Sequence, residues 1–305
     1  MPLFKRPDGT LLKNLPTFRR LNPYLMQSRT EATIFIPLRI DVTETIPYLK
    51  DLENKRGEKV SIFPLILTAI GRTFALRPEL NRFCVGTKLY QRNEISFSFV
   101  AKKQYQDKAK ETNVKMVFQP HETIFDVLDF LKKELNAARQ ENYVADKEVD
   151  IYGKLPGFML RLLIGSFKFL DNHNLAPGSM IKSDPLYCSA FLTNMGSVGM
   201  QKAPLHHLFT WGNASLFIGI NTIEKRPIVN EKNEIVIRDI MEIVITWDDR
   251  IADGFYGQRS AELFRDFIEH PQQLETPPEI SEEILAELML KPPKKPKHEK
   301  QEEKT

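Results

Sequence analysis

At 305 residues and 42% hydrophobic composition, the chain is long enough to bury one large core or two small ones. Its 43 basic and 40 acidic residues leave a net charge of +3, which excludes a dedicated nucleic-acid binder with a large clustered basic excess. Two cysteines, Cys84 and Cys188, exclude a disulfide framework and a cysteine-rich zinc site, and they fit a reducing compartment.

Residues 1–16 contain Pro, Gly and Lys and read as an irregular arm. A first helix is expected over Thr17–Gln27. Thr33–Val42 alternates apolar and polar residues as a half-buried strand does. Thr43 is the expected cap of a helix reaching Arg56, with Pro47 limiting its regular part. Ile62–Leu76 is apolar on nearly every side and carries Pro64 in its first turn, the pattern of a buried helix. It ends at Arg77-Pro-Glu-Leu-Asn81, where the proline restricts its predecessor. Ile95–Ala101 and Val114–Phe118 read as strands. Thr123–Arg139 reads as an amphipathic helix with Ile124, Val127, Leu128, Leu131 and Leu135 on its apolar face.

Leu186–Leu192, Ser215–Ile220, Ile235–Ile237 and Met241–Trp247 are further strands, and Ser260–Glu269 a closing helix. Glu279–Leu290 reads as a short helix, and residues 276–305 as a flexible Lys/Pro/Glu-rich tail. Strands and helices mix without βαβα alternation, which favours an α+β layered domain over residues 17–275. The N-terminus lacks an apolar run of signal-peptide length, and no stretch of about 20 uncharged apolar residues occurs. The expected location is cytoplasmic.

Four separated segments carry a resemblance. Phe18-Arg-Arg-Leu-Asn-Pro-Tyr-Leu-Met-Gln-Ser28 with Ile40-Asp-Val-Thr43, Arg77-Pro-Glu-Leu-Asn81, Phe191-Leu-Thr-Asn-Met-Gly196 and Asp248-Asp-Arg-Ile-Ala-Asp-Gly254 occur in order. Together they resemble the catalytic domain of dihydrolipoamide acyltransferases, the 2-oxoacid dehydrogenase acyltransferase family, related in fold to chloramphenicol acetyltransferase. The resemblance implies a two-layer α+β protomer, a mixed sheet with packed helices. It further implies a homotrimer or a higher assembly of trimers, with the acyl-transfer site at the subunit interface. Coenzyme A or a lipoyl thioester is the implied acyl carrier, with no covalently bound cofactor and no metal. The family's complex subunits place lipoyl-bearing and subunit-binding domains ahead of this one. Residues 1–16 resemble neither, so ordinary membership of a dehydrogenase core is not expected.

The family signature reads Asp-His-Arg-x-x-Asp-Gly, and here Asp249 stands where the catalytic histidine would be. An imidazole near pKa 6.5 suits deprotonation of a thiol near 8.5, whereas an ordinary aspartate near 3.9 lies 4–5 units lower. Proton transfer to it is uphill by roughly 6 kcal/mol, at about 1.36 kcal/mol per unit. Burial narrows that gap, and pairing with Arg250 widens it. Three readings stay open: Asp249 is a base of elevated pKa, an imidazole arrives from His206 or His207, or the transfer chemistry is gone and the protein is a trimeric scaffold or acyl-ligand binder.

By the same resemblance, Thr193 aligns with a hydroxyl that bonds the oxyanion, with Asn194 beside it. Asp253 would orient the loop through a buried salt bridge, and Gly254 would supply the turn into the following helix.

Residues 142–184 read as an insertion. Lys154–Leu170 within it is apolar apart from Arg161, Ser166 and Lys168, the two cations seven apart on one helical face. The wide apolar arc favours packing into protein, either against a neighbouring protomer or across the substrate channel, where Phe158, Leu162 and Phe169 would form a hydrophobic lid. A membrane interface is the lesser expectation.

Overall fold

The computed structural model describes residues 5–102, 111–138, 155–202 and 206–291. Nine strands and eight α-helices are resolved in this range. The main sheet has six strands in the order β2 (Thr33–Asp41), β9 (Ile235–Asp248), β8 (Leu216–Val229), β7 (Ala190–Asn194), β5 (Ile95–Lys102) and β6 (Glu111–Phe118). The β5–β7 and β7–β8 pairs are parallel and the others antiparallel. A mixed sheet of this kind, without regular βαβ crossovers, is what the uneven ordering of apolar runs implies.

Alternation sorts the side chains. Leu192, Ile218 and Ile245 are neighbours across three strands and enter the main core, whereas Phe191, Phe217 and Thr246 form the next row on the opposite face. The core face is covered by α2 (Thr45–Arg56), α3 (Ile62–Leu76), α4 (Ile124–Ala138) and α7 (Gly254–Glu269). The helix α3 is buried along almost its whole length, as its unbroken apolar sequence requires. Gly257 lets α7 settle on the sheet, because a Cβ there would stand 2.5 Å from the Trp247 ring.

Several boundaries differ from the sequence expectation. Thr43 does not cap α2. Its hydroxyl donates to Asp41 Oδ1 at 2.6 Å, and Glu44 precedes the helix without a side-chain cap. The segments 235–237 and 241–247 are one strand, β9, and β8 runs on to Val229, so the two form a long hairpin with a bulge between Ile220 and Ile223. Residues 186–189 precede β7 rather than belonging to it. The buried Asn81 fixes them: Ser189 donates to its side-chain oxygen at 2.6 Å, while its amide donates to the Glu94 carbonyl at 3.1 Å.

Both termini are more ordered than their composition suggests. Gly9–Leu11 forms β1, which pairs with β4 (Lys88–Arg92) and through it with β3 (Arg82–Val85) in a second, three-stranded sheet. Arg6 in the arm is buried between Asp8 and Asp171, with its guanidinium over the Phe83 and Tyr90 rings. At the other end, α8 (Glu282–Leu288) buries Leu288 in the main core, and Arg72 donates to the Thr276 carbonyl at 2.9 Å. Residues 276–291 are therefore part of the folded unit, and 292–305 lie outside the described residues.

In the 142–184 segment, α5 (Gly157–Asn172) and α6 (Gly178–Ser183) are present, and residues 139–154 lie outside the described residues, as does the Leu135 side chain. The helix α5 packs by one side only, through Phe167, against Ala176, Ile181, Tyr187 and Trp211. No helix among the described residues is long and apolar enough to cross a membrane.

Candidate active site

The strand β9 ends at Asp248, and the turn after it carries the signature segment. Arg250 engages Asp248, not Asp249. Its Nε and Nη2 donate to the two carboxylate oxygens at 2.8 and 2.7 Å, and both side chains are almost fully buried. A third nitrogen donates to the Met26 carbonyl at 3.2 Å, which ties the end of β9 to the segment after α1 (Thr17–Leu25). The ion pair is bidentate and closed, and burial with Asp248 raises the affinity of Arg250 for its proton despite the desolvation that opposes it.

Asp249 is consequently free of Arg250. Its backbone is held from both sides: its N–H donates to the Ala32 carbonyl at 2.8 Å, and its carbonyl accepts from Arg19 Nη1 at 3.0 Å. The side chain is half-buried, and desolvation raises its pKa above the ordinary carboxylate value, against the attraction of Arg19 and reinforced by the charge of Asp248. Arg29 lies behind this turn, donating to the carbonyls of Gly212 (2.8 Å) and Ala214, and burial lowers its pKa. Sequence reasoning passed over Arg19, Arg29 and Asp248. The two arginines flank the Leu-Asn-Pro-Tyr segment, which was read only as part of a family pattern.

Asp253 does not form the buried salt bridge that the resemblance implies. It is exposed, makes no ion pair among the described residues, and serves as the N-cap of α7 by accepting from the Tyr256 N–H at 2.7 Å. The buried pair of this loop is Asp248–Arg250 instead. Gly254 has no left-handed conformation, and a Cβ there would meet nothing within 4 Å, so the turn does not demand glycine.

Thr193 lies near the end of β7, half-buried, with its hydroxyl donating to the Met195 sulfur at 3.3 Å. A thioether is a weak acceptor, so this hydroxyl keeps most of its donor capacity. Asn194 caps the following 3-10 turn by accepting from the Ser197 N–H at 3.2 Å. The turn seats against the β8 bulge at Gly196, where a Cβ would be 2.5 Å from the Asn221 carbonyl oxygen. Here glycine is required by close approach.

Thr193 and Asp249 do not meet within one protomer. Thr193 is level with Gly219 on β8 and Val244 on β9. Five residues along β9 at about 3.3 Å each, and two strands across at about 4.8 Å each, place the two positions roughly 19 Å apart.

The histidines lie on the outer face between them. The His206 ring stacks on Phe217 with centroids 4.3 Å apart, and its Nδ1 is 2.6 Å from the His207 carbonyl. Thr246 donates to the His206 carbonyl at 2.7 Å, and His207 packs edge-on to Phe35. Neither imidazole bonds to Asp249 or Thr193 among the described residues. Leu205 lies outside them. Phe158, Leu162 and Phe169 project from α5 into solvent, so they cover no substrate site in the protomer.

Comparison with known proteins agrees with this architecture. Residues 188–276 match the family model for the 2-oxoacid dehydrogenases acyltransferase (catalytic domain). A probable dihydrolipoamide acetyltransferase from Listeria monocytogenes 4b F2365 is similar in structure at a TM-score of 0.55 and 14% identity, over 86% of this chain and 95% of that one. The cubic core of the pyruvate dehydrogenase multienzyme complex gives 0.56 and 12%, over 86% and 93%. A chloramphenicol acetyltransferase gives 0.53 and 12%, over 85% and 99%. No curated protein matches in sequence. The family match thus spans residues 188–276, and the chain as a whole has the chloramphenicol acetyltransferase-like α+β fold, a mixed sheet with packed helices.

Proposed function

We propose that the protein transfers an acyl group from a thioester, of coenzyme A or a lipoyl group, at a site completed between protomers. Asp249 of one protomer is the proton acceptor and Thr193 of the next stabilises the oxyanion. The separation of roughly 19 Å between two built half-sites carries this reading. Each half is held by contacts of its own protomer, and neither meets the other half among the described residues. A closed ring of three, related by rotation, brings one end of the sheet to the other end of its neighbour.

In the reaction, the carboxylate of Asp249 takes the proton of the attacking thiol, hydroxyl or amine. The new bond forms at the thioester carbonyl carbon, the Thr193 hydroxyl donates to the oxygen as negative charge builds there, and the thiolate of the carrier leaves with a proton. Desolvation of Asp249 narrows the gap to a thiol, and each unit gained is worth about 1.36 kcal/mol of the roughly 6 kcal/mol deficit.

A second reading, a trimeric scaffold or acyl-ligand binder, draws on the engagement of the His206 Nδ1 with the His207 carbonyl. The two readings separate in an assay of free thiol released from a set of acyl-CoAs with thiol, hydroxyl and amine acceptors. Acyl transfer predicts turnover by the native protein, loss of at least about 100-fold in Asp249→Asn, and activity retained or raised in Asp249→His. No turnover by the native protein, with turnover appearing only in Asp249→His, establishes the scaffold reading. Sedimentation showing a monomer at assay concentration removes the interprotomer site.

A further inference from the structure

The sequence expectation packs α5 into protein, and within the protomer one face of the helix is uncovered. Phe158, Leu162 and Phe169, at spacings of four and seven, form one stripe exposed at 74%, 69% and 59%. The opposite side of the helix carries Phe167 and Asp171, which are buried. Met159 and Leu163, also exposed, extend the apolar face on the flank away from Arg161 and Lys168, and Leu175 and Met180, in the next turn and α6, are exposed as well. A contiguous patch of this breadth marks a contact surface.

The charges beside it have one sign. Arg161, Lys168 and Lys182 are exposed, and the single acid on the two helices, Asp171, is buried against Arg6 at 2.8 Å. Arg161 and Lys168 lie on one flank of the stripe, where their long stems follow the apolar face and their charged ends reach past it. The helix is anchored rigidly: Asp171 accepts from the Tyr187 hydroxyl at 3.0 Å, and Phe167 stacks on Trp211. The stripe is therefore presented outward by a fixed body.

We propose that α5, with the start of α6, is a docking surface for an anionic lipid membrane. Phe158, Leu162 and Phe169 enter the interfacial region, and Arg161, Lys168 and Lys182 meet the headgroup phosphates. A second copy that pairs through this same face is the poorer occupant. Pairing this face with itself sets the three cations against their own duplicates, with no exposed acid on α5 or α6 to offset them.

The test is flotation of the full chain with phosphatidylcholine vesicles, with and without phosphatidylglycerol. The protein is expected to float with the anionic vesicles alone, and less as salt rises. Phe158→Ser/Phe169→Ser abolishes flotation, and Arg161→Gln/Lys168→Gln weakens it by about 30-fold. All four side chains are exposed, so thermal midpoints stay at the native value. Retention in the aqueous phase, equal binding to neutral vesicles, or binding indifferent to both double substitutions overturns the proposal. A Leu162→Cys thiol in lipid-free protein is expected to react with maleimide at the rate of a free thiol. Slow labelling means that a second copy or residues 139–154 already cover the face, and this too overturns it. Sedimentation of the Phe158→Ser/Phe169→Ser protein then tells which of the two it is.

Discussion

Replacing Arg250 by methionine keeps an unbranched apolar stem and removes the guanidinium. Four interactions go with it: two bonds to the Asp248 carboxylate, the ionic attraction between them, and the bond to the Met26 carbonyl. Asp248 is left 1% exposed in its side chain with no bound cation. Losing one partner of a buried pair costs about 3–5 kcal/mol, mostly because the other charge stays buried alone. Arg29 lies close enough for its charge to act on Asp248, but its nitrogens donate to Gly212 and Ala214. It softens the loss without replacing the bonds, so the expected figure is about 3 kcal/mol. Chemical denaturation at fixed protein concentration measures it. Asp248→Asn/Arg250→Met is expected to be milder than Arg250→Met, because no unpaired charge remains. A loss below about 1 kcal/mol in Arg250→Met would mean that the pair is screened like one on the surface, and the account of this turn as a closed buried clamp would fail.

Three further outcomes follow from particular contacts. Gly196→Ala places a Cβ 2.5 Å from the Asn221 carbonyl and is expected to cost about 1–3 kcal/mol, with loss of amide protection concentrated at the end of β7 and the β8 bulge. Leu288→Ala, at a fully buried position, is expected to cost about 2–5 kcal/mol by denaturation, and a neutral result would detach α8 from the core. For Asp249 the sign is that of a carboxyl whose folded pKa lies above its unfolded value of 3.8. Its charged form is disfavoured in the fold, so it lowers stability above the folded pKa, and that cost vanishes as pH falls below the unfolded one. Asp249→Asn is therefore expected to be more stable than the native protein at neutral pH and equal to it in strong acid. A variant less stable at neutral pH would contradict the desolvation argument.

How much could be read from the sequence depended on the range of the interaction. The helix α3 and the strands β2 and β5 are specified by their own periodicity, and their expected and observed limits nearly coincide. The three-stranded sheet was missed because β1, β3 and β4 are three to five residues long, and the charged Arg92 is buried within it. Burial of Arg92 becomes sensible only once Asn213, 121 positions away, accepts from it. Leu288 reads as part of a polar tail for the same reason, since its neighbours in the core are remote in sequence. In the signature segment, the ion pairs expected of Asp249 and Asp253 give way to Asp248–Arg250. Adjacency in sequence suggested Asp249 for Arg250, whereas side chains two apart at the end of a strand share a face, and Asp248 is the residue that does.

The backbone contacts at position 249 are independent of the side chain that stands there. Its N–H is bound to Ala32 and its carbonyl to Arg19, so the backbone is placed without reference to the side chain. The buried clamp beside it uses residues 248 and 250 and leaves 249 uncommitted. An imidazole and a carboxylate can thus occupy the same place at little cost to stability, and under the proposed function the exchange acts on the driving force for proton transfer. That is why Asp249→His is the informative substitution: it changes the proposed base while the Ala32, Arg19 and Asp248–Arg250 contacts remain.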